Sequence, residues 1–382
     1  MAAQLSPVTP DVLRWAIDED GRSFPDLAEA LNVDVDTMDG WARGDTTPTR
    51  GQVSRLASVL HRPRALFFLP RPPTSATLPA NFRHPPGDDR PVSVAARRDV
   101  RRARRVQHAV SWARRDEPPI PMPSGSLDQK PEVAAVVARE WLGVTDADQR
   151  AWQDDRVALR AWRRAMEDSG ILVFVLQIGS DDVRGFSAWD DSAPLIIANS
   201  SRVSPAARSF TLVHELGHLY TRQDAACIEI DTVGPRPSSQ IERWCEQFGA
   251  AVLMPKNVFA NFMAHQGDPP FGLEDVRAAA LHFRVSHRAA ALRMIDLQLA
   301  RVELYGQVTR AFQPKGTEVA ASGEFYSSPR FITRSREYGI GTIQTVLDAL
   351  PPRDALDILR LTVEDVRRIA QEVPDVRKLI HK

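Results

Sequence analysis

The segment SPAARSFTLVHELGHLY, residues 204–220, constrains the fold more than any other part of the chain. Ser204 is a suitable N-cap, and Pro205 suits the first helical position because the amide hydrogen that proline lacks would be unpaired there anyway. We therefore predict a helix from Pro205 to about Tyr220. Its second half is apolar except for two histidines and a glutamate, so the fold must bury this helix together with a few polar side chains.

These polar residues have the spacing of a metal site. His214 and His218 are four residues apart, so their rings project from one face of the helix, about 6 Å apart along its axis. Both imidazoles can then reach one zinc ion at about 2.0–2.1 Å. Glu215 lies beside that position, where a carboxylate can accept a proton from bound water. Two surface histidines would show the same spacing, but the apolar flanks and Gly217, which permits close packing, favour a metal site.

A catalytic zinc site needs a third protein ligand and keeps its fourth position open. Glu242 and Glu246 are the candidates, on a helix predicted at about 239–253. They are four residues apart, so one can bind the metal while the other orients a metal-bound histidine from behind. We assign the metal to Glu242 and the orienting role to Glu246. Cys245 is a further possible ligand, but a lone cysteine on an apolar helix face is more often part of the core.

Three β-rich runs precede the histidine helix: GILVFVLQIG, VRGFSAW and PLIIAN. They predict a small three-stranded sheet. With helices predicted over most of the remaining chain, we expect an α+β fold that is mainly helical. We divide it into a helical domain at 8–70, a proline-rich linker with a basic helix at 71–125, a metal-binding domain at 126–305 and a mostly helical tail of unknown role at 306–382.

The front of the chain consists of short predicted helices. Ser23 can cap a helix over Phe24–Leu31, and Asp34 or Asp36 can cap the next one, which ends at Gly44. A third is predicted at Gln52–Leu60 and is followed by the apolar run PRALFFLP. Two helices joined by a tight turn inside such a cluster predict a helix-turn-helix unit.

The bulk composition limits the classes of partner and the compartment. The chain of 382 residues is long enough for two or three domains. Its 49 basic and 49 acidic side chains cancel, so a nucleic-acid or membrane partner needs a local patch. Only Cys227 and Cys245 occur, which argues against a disulfide framework and favours a reducing cytosol. The longest apolar run, Ile171 to Leu176, is too short to cross a bilayer. We expect a soluble cytoplasmic protein without a secretory signal or a membrane partner.

HELGH followed by ERWCEQFGAAVLMP resembles the ImmA/IrrE family of gluzincin-like zinc metallopeptidases. The runs RGFSAWD, PLIIAN and RSFTLVHELGH are similar to that family's strand–strand–helix order. The front segments PDVLRWAIDEDG, LAEALNV, DGWARGDTTPT and RPRALFFLPRPP, with NFR after the linker, resemble the Xre-type helix-turn-helix domain often fused to it. The resemblance covers roughly residues 8–300. Cys245 departs from it by standing where Ala is common, and Glu246 by standing where Asn or Asp is common.

Carried over by position, the resemblance implies His214, His218 and Glu242 as zinc ligands and Glu215 as the general base. It also implies a zinc endopeptidase that cleaves or otherwise inactivates a partner repressor and so regulates transcription. Some fused family members resemble components of toxin–antitoxin operons. The alternative is a non-catalytic DNA- or protein-binding regulator, in which zinc only holds the fold.

A helix-turn-helix domain would place Val35–Arg43 in the major groove of DNA. Carboxylates at Asp34, Asp36 and Asp39 are unfavourable beside phosphates, and only Arg43 can read guanine well. The candidate DNA contacts are Arg43, Thr46, Thr47, Thr49 and Arg50. The alternative is a domain that contacts protein, either a partner or a second copy in a homo-oligomer. The basic segment 97–115 can track phosphates, but its apolar stripe favours a packed, solvated helix.

Two further roles stay open in the sequence. A donor that stabilises the tetrahedral intermediate is required in peptide hydrolysis. The candidates are His265, His282, His287, Tyr220 and Tyr305. The strand Pro194–Asn199 is predicted to pair with an extended substrate by β-augmentation. The tryptophans on apolar helix faces, among them Trp141, Trp152 and Trp162, are interpreted as core.

Overall fold

The computed structural model of the protein describes residues 5–73, 94–178, 183–200, 203–222, 225–228, 240–312 and 329–372. The helices in these ranges are α1 Pro10–Asp20, α2 Phe24–Leu31, α3 Val35–Arg43, α4 Arg50–Val59, α5 Val94–Ala113, α6 Pro131–Leu142, α7 Asp146–Ala151, α8 Asp155–Asp168, α9 Pro205–Tyr220, α10 Gln240–Leu253, α11 Lys256–Ala264, α12 Leu273–Phe283, α13 His287–Asp296, α14 Glu303–Ala311, α15 Arg330–Tyr338, α16 Ile340–Ala349, α17 Pro352–Leu359 and α18 Val363–Glu372. The strands are β1 Leu172–Leu176, β2 Val183–Ala188, β3 Leu195–Asn199 and β4 Ala225–Ile228, and Arg64–Phe68 forms a short 3-10 helix. The prediction of a mainly helical α+β fold is therefore confirmed.

The chain divides into two compact units, with the boundary inside α5: a front unit up to Arg102 and a rear unit from Ala103 onward. None of the helices in the described ranges is long and apolar enough to cross a membrane.

The front unit is a cluster of short helices around one apolar core. The second and third helices have the predicted bounds, and Asp34 rather than Asp36 caps α3 by accepting from the Thr37 amide at 2.6 Å. The residues that fill the core are Leu13, Ile17, Leu27, Leu31, Met38, Trp41, Leu56, Leu60 and Phe67. The fourth helix begins two residues earlier than predicted, because Thr49 and Gln52 form a capping box.

The turn that joins α2 to α3 recurs twice in the rear unit, between α12 and α13 and between α17 and α18. The three turns are 32–34, 284–286 and 360–362. In each, the first residue has a positive φ (55°, 57° and 53°) and the second donates its amide to a carbonyl five residues earlier, at 3.0, 3.1 and 3.0 Å. The third residue caps the next helix. Because the same turn also joins helices of the rear unit, it does not by itself identify a DNA-binding helix.

Within the described residues, the rear unit contains one sheet, with strand order β1-β3-β2-β4. The first and third strands are parallel, and β2 is antiparallel to both of its neighbours. The three-strand prediction was therefore incomplete: β4 is a fourth strand, which alanines at two of its four positions made hard to predict. The prediction of β-augmentation along Pro194–Asn199 was wrong, because β3 lies inside the sheet and pairs on both sides.

The histidine helix α9 lies against this sheet and against α10, in the core of the rear unit. Its residues Leu212, Val213, Leu216 and Leu219 are fully buried, and Gly217 sets the distance to the neighbouring helix. A Cβ at position 217 would lie 3.1 Å from Phe248 Cδ1 and 3.2 Å from Cys245 Sγ. The backbone of α9 at Gly217 therefore contacts the side chains of Phe248 and Cys245 on α10. Trp162 is buried in the same core, and Trp141 and Trp152 pack against it, as interpreted from the sequence.

The last four helices, α15–α18, are part of the rear unit. Among them, α15 packs on β1 and α16 packs on α8, while α17 packs on α16 and α18 packs on α15. The Tyr338 ring meets the Phe174 ring of β1 edge to face, with centroids 5.1 Å apart. Arg163 of α8 donates to the carbonyls of Arg336 and Glu337 at the end of α15, at 2.7 and 3.1 Å. These contacts cover β1, so the C-terminal segment supports the strand that starts the sheet.

Candidate metal centre

The helix α9 begins and ends where the sequence predicts. Ser204 accepts a hydrogen bond from the Ala207 amide at 3.2 Å, Pro205 occupies the first turn, and the helix ends at Tyr220. One consequence is that the side chains of His214, Glu215 and His218 enter the core of the rear unit. Their exposed fractions are 6%, 0% and 0%. The polar part of this helix therefore faces other protein groups rather than bulk water.

The helix α10 brings a third donor to the two histidines. Glu242 Oε2 lies 3.1 Å from His214 Nε2, and Glu242 Oε1 lies 3.4 Å from His218 Nε2. The two histidine Nε2 atoms are 3.2 Å apart. Donors at the corners of a tetrahedron with bonds of about 2.0–2.1 Å are about 3.3–3.4 Å apart. The three groups thus have the donor chemistry and the spacing of three zinc ligands, and the cluster is compatible with a metal ion.

The electrostatics of the cluster fit a cation. Burial disfavours the charged form of His214, but the hydrogen bond to Glu242 and the negative charges of three glutamates together raise its pKa. Burial also opposes ionisation of Glu242, yet its hydrogen bonds to both histidines hold the pKa of this carboxyl well below its usual range. The carboxylate of Glu242 is therefore stabilised inside the protein by its hydrogen bonds to the two histidine rings. A divalent cation between the same atoms would supply a positive charge.

Cys245 lies on α10 but outside this cluster of donors. Burial is the main reason why the pKa of its thiol is raised well above the ordinary value, and the neighbouring carboxylates add to the effect. Its Sγ is buried against Gly217. A zinc ligand would have to be a thiolate, so the structure favours the interpretation of Cys245 as a core residue.

Glu215 is held between α9 and β2. Its Oε2 accepts a hydrogen bond of 2.7 Å from Ser187 Oγ, whereas its Oε1 has no hydrogen-bond partner among the described residues. A Cβ at position 185 would lie 2.5 Å from that Oε1, so the glycine there leaves the space that the carboxylate occupies. Burial raises the pKa of Glu215 despite the lowering effect of the two histidines and of Ser187. A carboxylate in such a site is a strong proton acceptor.

Gly185 and Ser187 belong to the candidate site but were not predicted from the sequence. The run VRGFSAW indicated only a strand. The two residues are two positions apart in β2, so they face the same side of the sheet, the side on which α9 lies. The only signal in the sequence for this contact was a pair of small residues at alternate positions of the strand. Phe186 and Ala188, at the other alternate positions, are equally buried. Without an exposed face, the hydrophobic pattern of this strand could not show which side meets the helix.

The C-terminal end of α10 is fixed by buried polar side chains from three other helices. The carbonyls of Val252, Leu253 and Met254 accept hydrogen bonds from Arg139, Gln149 and Arg293, in that order, at 2.7, 2.8 and 2.9 Å. Terminal carbonyls of a helix lack partners within it and carry its negative dipole end. Two arginines and an amide therefore anchor the helix that carries Glu242.

The remaining candidates at the metal centre have mixed outcomes. Glu246 lies one turn after Glu242, and its charge helps to raise the pKa of His214. Its role in orienting a histidine stays a prediction. Tyr220 donates to Gln129 Oε1 at 3.0 Å and stacks with Trp244, so it is engaged in the core.

The other proposed donors to the tetrahedral intermediate pack elsewhere. His282 stacks on Phe262 and His287 stacks on Phe312, with centroids 4.1 and 3.9 Å apart. Within the described ranges, none of the three histidines His265, His282 and His287 belongs to the cluster of metal donors. The role of Tyr305 stays a prediction. A group that stabilises the tetrahedral intermediate stays a prediction, and no residue is assigned to it.

In the front unit the predicted DNA contacts do not converge in the same way. Arg43 forms ion pairs with Asp39 and Asp45, both at 2.8 Å. Thr49 uses its hydroxyl to cap α4. The other three, Thr46, Thr47 and Arg50, are exposed. The one side chain suited to read a base is therefore neutralised by its own neighbours.

Comparison with known families adds one finding. Residues 166–294 match the model of the Peptidase_M78 family, described as the IrrE N-terminal-like domain. The matched segment runs from the end of α8 through α13 and includes the strands, α9 and α10. It covers roughly a third of the 382-residue chain. No curated protein matches the chain.

Proposed function

We propose that this protein is a zinc-dependent endopeptidase that inactivates a partner protein. The observation that carries the proposal is the meeting of His214, His218 and Glu242 beside a fully buried Glu215. The match of residues 166–294 to a peptidase family supports it.

In the proposed reaction, three residues would bind zinc and a fourth, Glu215, would transfer the proton. His214, His218 and Glu242 would hold zinc, which supplies Lewis acidity at the scissile carbonyl. Glu215 accepts a proton from the attacking water as the water oxygen bonds to the carbonyl carbon. It then delivers that proton to the nitrogen as the C–N bond breaks, so the products are a carboxylic acid and an amine.

The burial of the site indicates how a substrate enters. The histidines and Glu215 are enclosed, whereas the Glu242 side chain is 29% exposed. A peptide would therefore approach from the side of Glu242. In the described part of the sheet β1 and β4 are the outer strands, and α15 packs on β1. This leaves β4 as the strand with which an extended substrate would pair.

The identity of the partner rests on the resemblance to the ImmA/IrrE family. It suggests a repressor, or a protein encoded in the same operon, as the substrate, and a front domain that contacts DNA. A second candidate function is a non-catalytic regulator that acts by binding. The ion pairs of Arg43 favour it in one respect, because they make the front unit better suited to a protein contact than to base reading.

The decisive test compares wild type with Glu215→Gln. The expected result is about one zinc per chain in both, the same unfolding midpoint, and loss of cleavage of the partner protein only in the variant. Glu140→Gln, an exposed glutamate of α6, is the matched control and is expected to cleave normally. Full biological activity of Glu215→Gln would refute the peptidase and favour the non-catalytic regulator.

A further inference from the structure

A glutamate side chain that acts as a general base must hold its carboxylate in one orientation. The torsion that turns a carboxylate about its last carbon–carbon bond is broad, so the side chain alone does not fix the positions of its two oxygens. In this protein β2 lies close enough to α9 to contact the carboxylate of Glu215 directly. Gly185 leaves the space for one oxygen, and Ser187 donates to the other.

We propose that Ser187 is the positioning residue of Glu215, and that Gly185 provides the space which this contact needs. The proposal rests on the proposed function, since it assigns a role in the same reaction. The two carboxylate oxygens then have different roles, because Oε2 is held by the serine hydroxyl and Oε1 is the oxygen that exchanges the proton.

The geometry supports a specific contact rather than incidental packing. The Oγ–Oε2 distance of 2.7 Å is that of a hydrogen bond to a charged acceptor. Both side chains are fully buried, so bulk water does not compete for the hydrogen bond between Ser187 and Glu215. The other oxygen has no hydrogen-bond partner among the described residues. The serine hydroxyl thus restricts rotation of the carboxylate and leaves one basic oxygen unengaged.

The same contact persists through the reaction. When Oε1 takes the proton of the attacking water, Oε2 becomes the carbonyl oxygen of a carboxylic acid and still accepts from Ser187. When the proton passes to the leaving amine, the carboxylate is restored in its original orientation. Ser187 therefore keeps its own proton throughout and acts only through Glu215.

The test uses a ligand that does not require the natural substrate. Acetohydroxamate binds zinc through two oxygens and offers a proton that a neighbouring carboxylate can accept. Its affinity for the zinc-loaded full-length protein is measured in wild type, Ser187→Ala, Ser187→Thr and Glu215→Gln, with zinc content determined in each. Ser209→Ala is the matched control, because Ser209 is equally buried but bonds to a carbonyl of its own helix.

The expected result is that Ser187→Ala keeps its zinc and binds acetohydroxamate about tenfold more weakly, whereas Ser187→Thr, which keeps the hydroxyl, lies within about twofold of wild type. In the Glu215→Gln background, Ser187→Ala is expected to cause no further loss. A residue that acts only on the fold would give additive losses, so the double-mutant comparison isolates the positioning role. With a cleavable peptide, Ser187→Ala is expected to lower kcat and leave KM unchanged.

Equal affinity in wild type and Ser187→Ala, or additive losses in the double variant, would overturn this inference and leave the peptidase proposal standing. A wild type that takes up no zinc, or that binds zinc but not acetohydroxamate, would overturn both. If Ser187→Ala loses its metal, Ser187→Cys is measured in its place, because it has a similar size and a much weaker donor.

Discussion

The helices α3 and α9 both have a side-chain N-cap and the bounds predicted from the sequence, yet their polar residues have different surroundings. On α9 the polar side chains are buried and meet Glu242 from α10 and Ser187 from β2. On α3 the polar side chains face solvent, and Arg43 pairs with Asp39 of the same helix and Asp45 just beyond it. The difference shows that a local motif becomes a site only when other parts of the chain complete it.

The physical basis of the contrast is the cost of burial. A buried carboxylate or imidazole must find partners, because an unpaired one costs several kcal/mol in a medium of low dielectric constant. That requirement makes the groups around α9 converge. The exposed ion pairs of α3 contribute little to stability because solvent screens them, so they neither require nor define a specific partner.

The largest effect is expected from removing the residue that completes the metal cluster. Glu242→Ala is expected to weaken zinc binding by more than about 100-fold, because even residues behind the ligands cost about 10–100-fold when removed. A competition titration with a chromogenic chelator measures this. Glu246→Ala is the control on the same helix, one turn on, and a weaker loss of about 10-fold is expected there. A larger loss of zinc affinity in Glu246→Ala than in Glu242→Ala would assign the metal to Glu246.

The next largest effect concerns the anchoring of α10. Arg139→Leu is expected to lower the free energy of unfolding of the rear unit by about 3 kcal/mol, since it leaves the Val252 carbonyl and the Gln149 amide oxygen buried without a donor. Urea unfolding followed by tryptophan fluorescence measures it. Arg160→Leu, at an exposed position on α8, is expected to change stability by less than about 0.5 kcal/mol. Equal effects would mean that the carbonyl contacts do not stabilise α10.

A smaller effect is expected from substituting alanine for Gly217 in α9, and its counterpart is the same substitution at Gly40 in α3. Gly217→Ala is expected to cost about 1–3 kcal/mol and to weaken zinc binding, because the new Cβ pushes α10 and its Glu242 away. In α3, the Cβ of Gly40→Ala would lie 2.7 Å from Thr46 Oγ1, so the exposed Thr46 side chain must move. The gain of about 1 kcal/mol in helix propensity offsets this movement, so a nearly neutral change is expected. Thermal unfolding and zinc titration check both variants. A Gly217→Ala protein with unchanged zinc affinity would show that α10 has room to adjust.

The smallest effect tests whether α3 contacts DNA at all. The double substitution Asp39→Asn and Asp45→Asn releases Arg43 from its ion pairs, with little cost in stability because these pairs are exposed. If this helix faces DNA, the affinity for the protein's own promoter should rise by up to about tenfold and become more sensitive to salt. Gel-shift titrations at two salt concentrations measure it, with Arg43→Ala as the opposite change. Unchanged binding in both variants would exclude α3 as the DNA-contacting helix and favour a protein contact.

The parts of the site that could be predicted are those fixed by neighbours in sequence. Ser204 and Pro205 set the start of α9, and the four-residue spacing of His214 and His218 set their common face. Glu242 was assigned from the resemblance and from the spacing along one helix. The β2 contacts could not be predicted, because both faces of that strand are buried and only the sheet register decides which residues meet Glu215.

The order of the strands in the sheet could not be predicted from the sequence either. The three runs that form β1, β2 and β3 were recognised from their composition, but their order in space was not, and β3 was wrongly expected to be free for pairing. Strand order depends on contacts between residues far apart in the chain, which hydrophobic periodicity does not encode.

The sequence by itself determined the helices, their caps and the identity of the histidines and glutamates that carry the chemistry, because helix formation and capping depend on residues within one or two turns. The tertiary structure alone decided which groups converge on them: the approach of α10 through Gly217, the anchoring of its end by Arg139 and Arg293, and the contact of Ser187 with Glu215. These are contacts over long sequence separations, and they form because buried polar groups require partners that their own helix cannot supply.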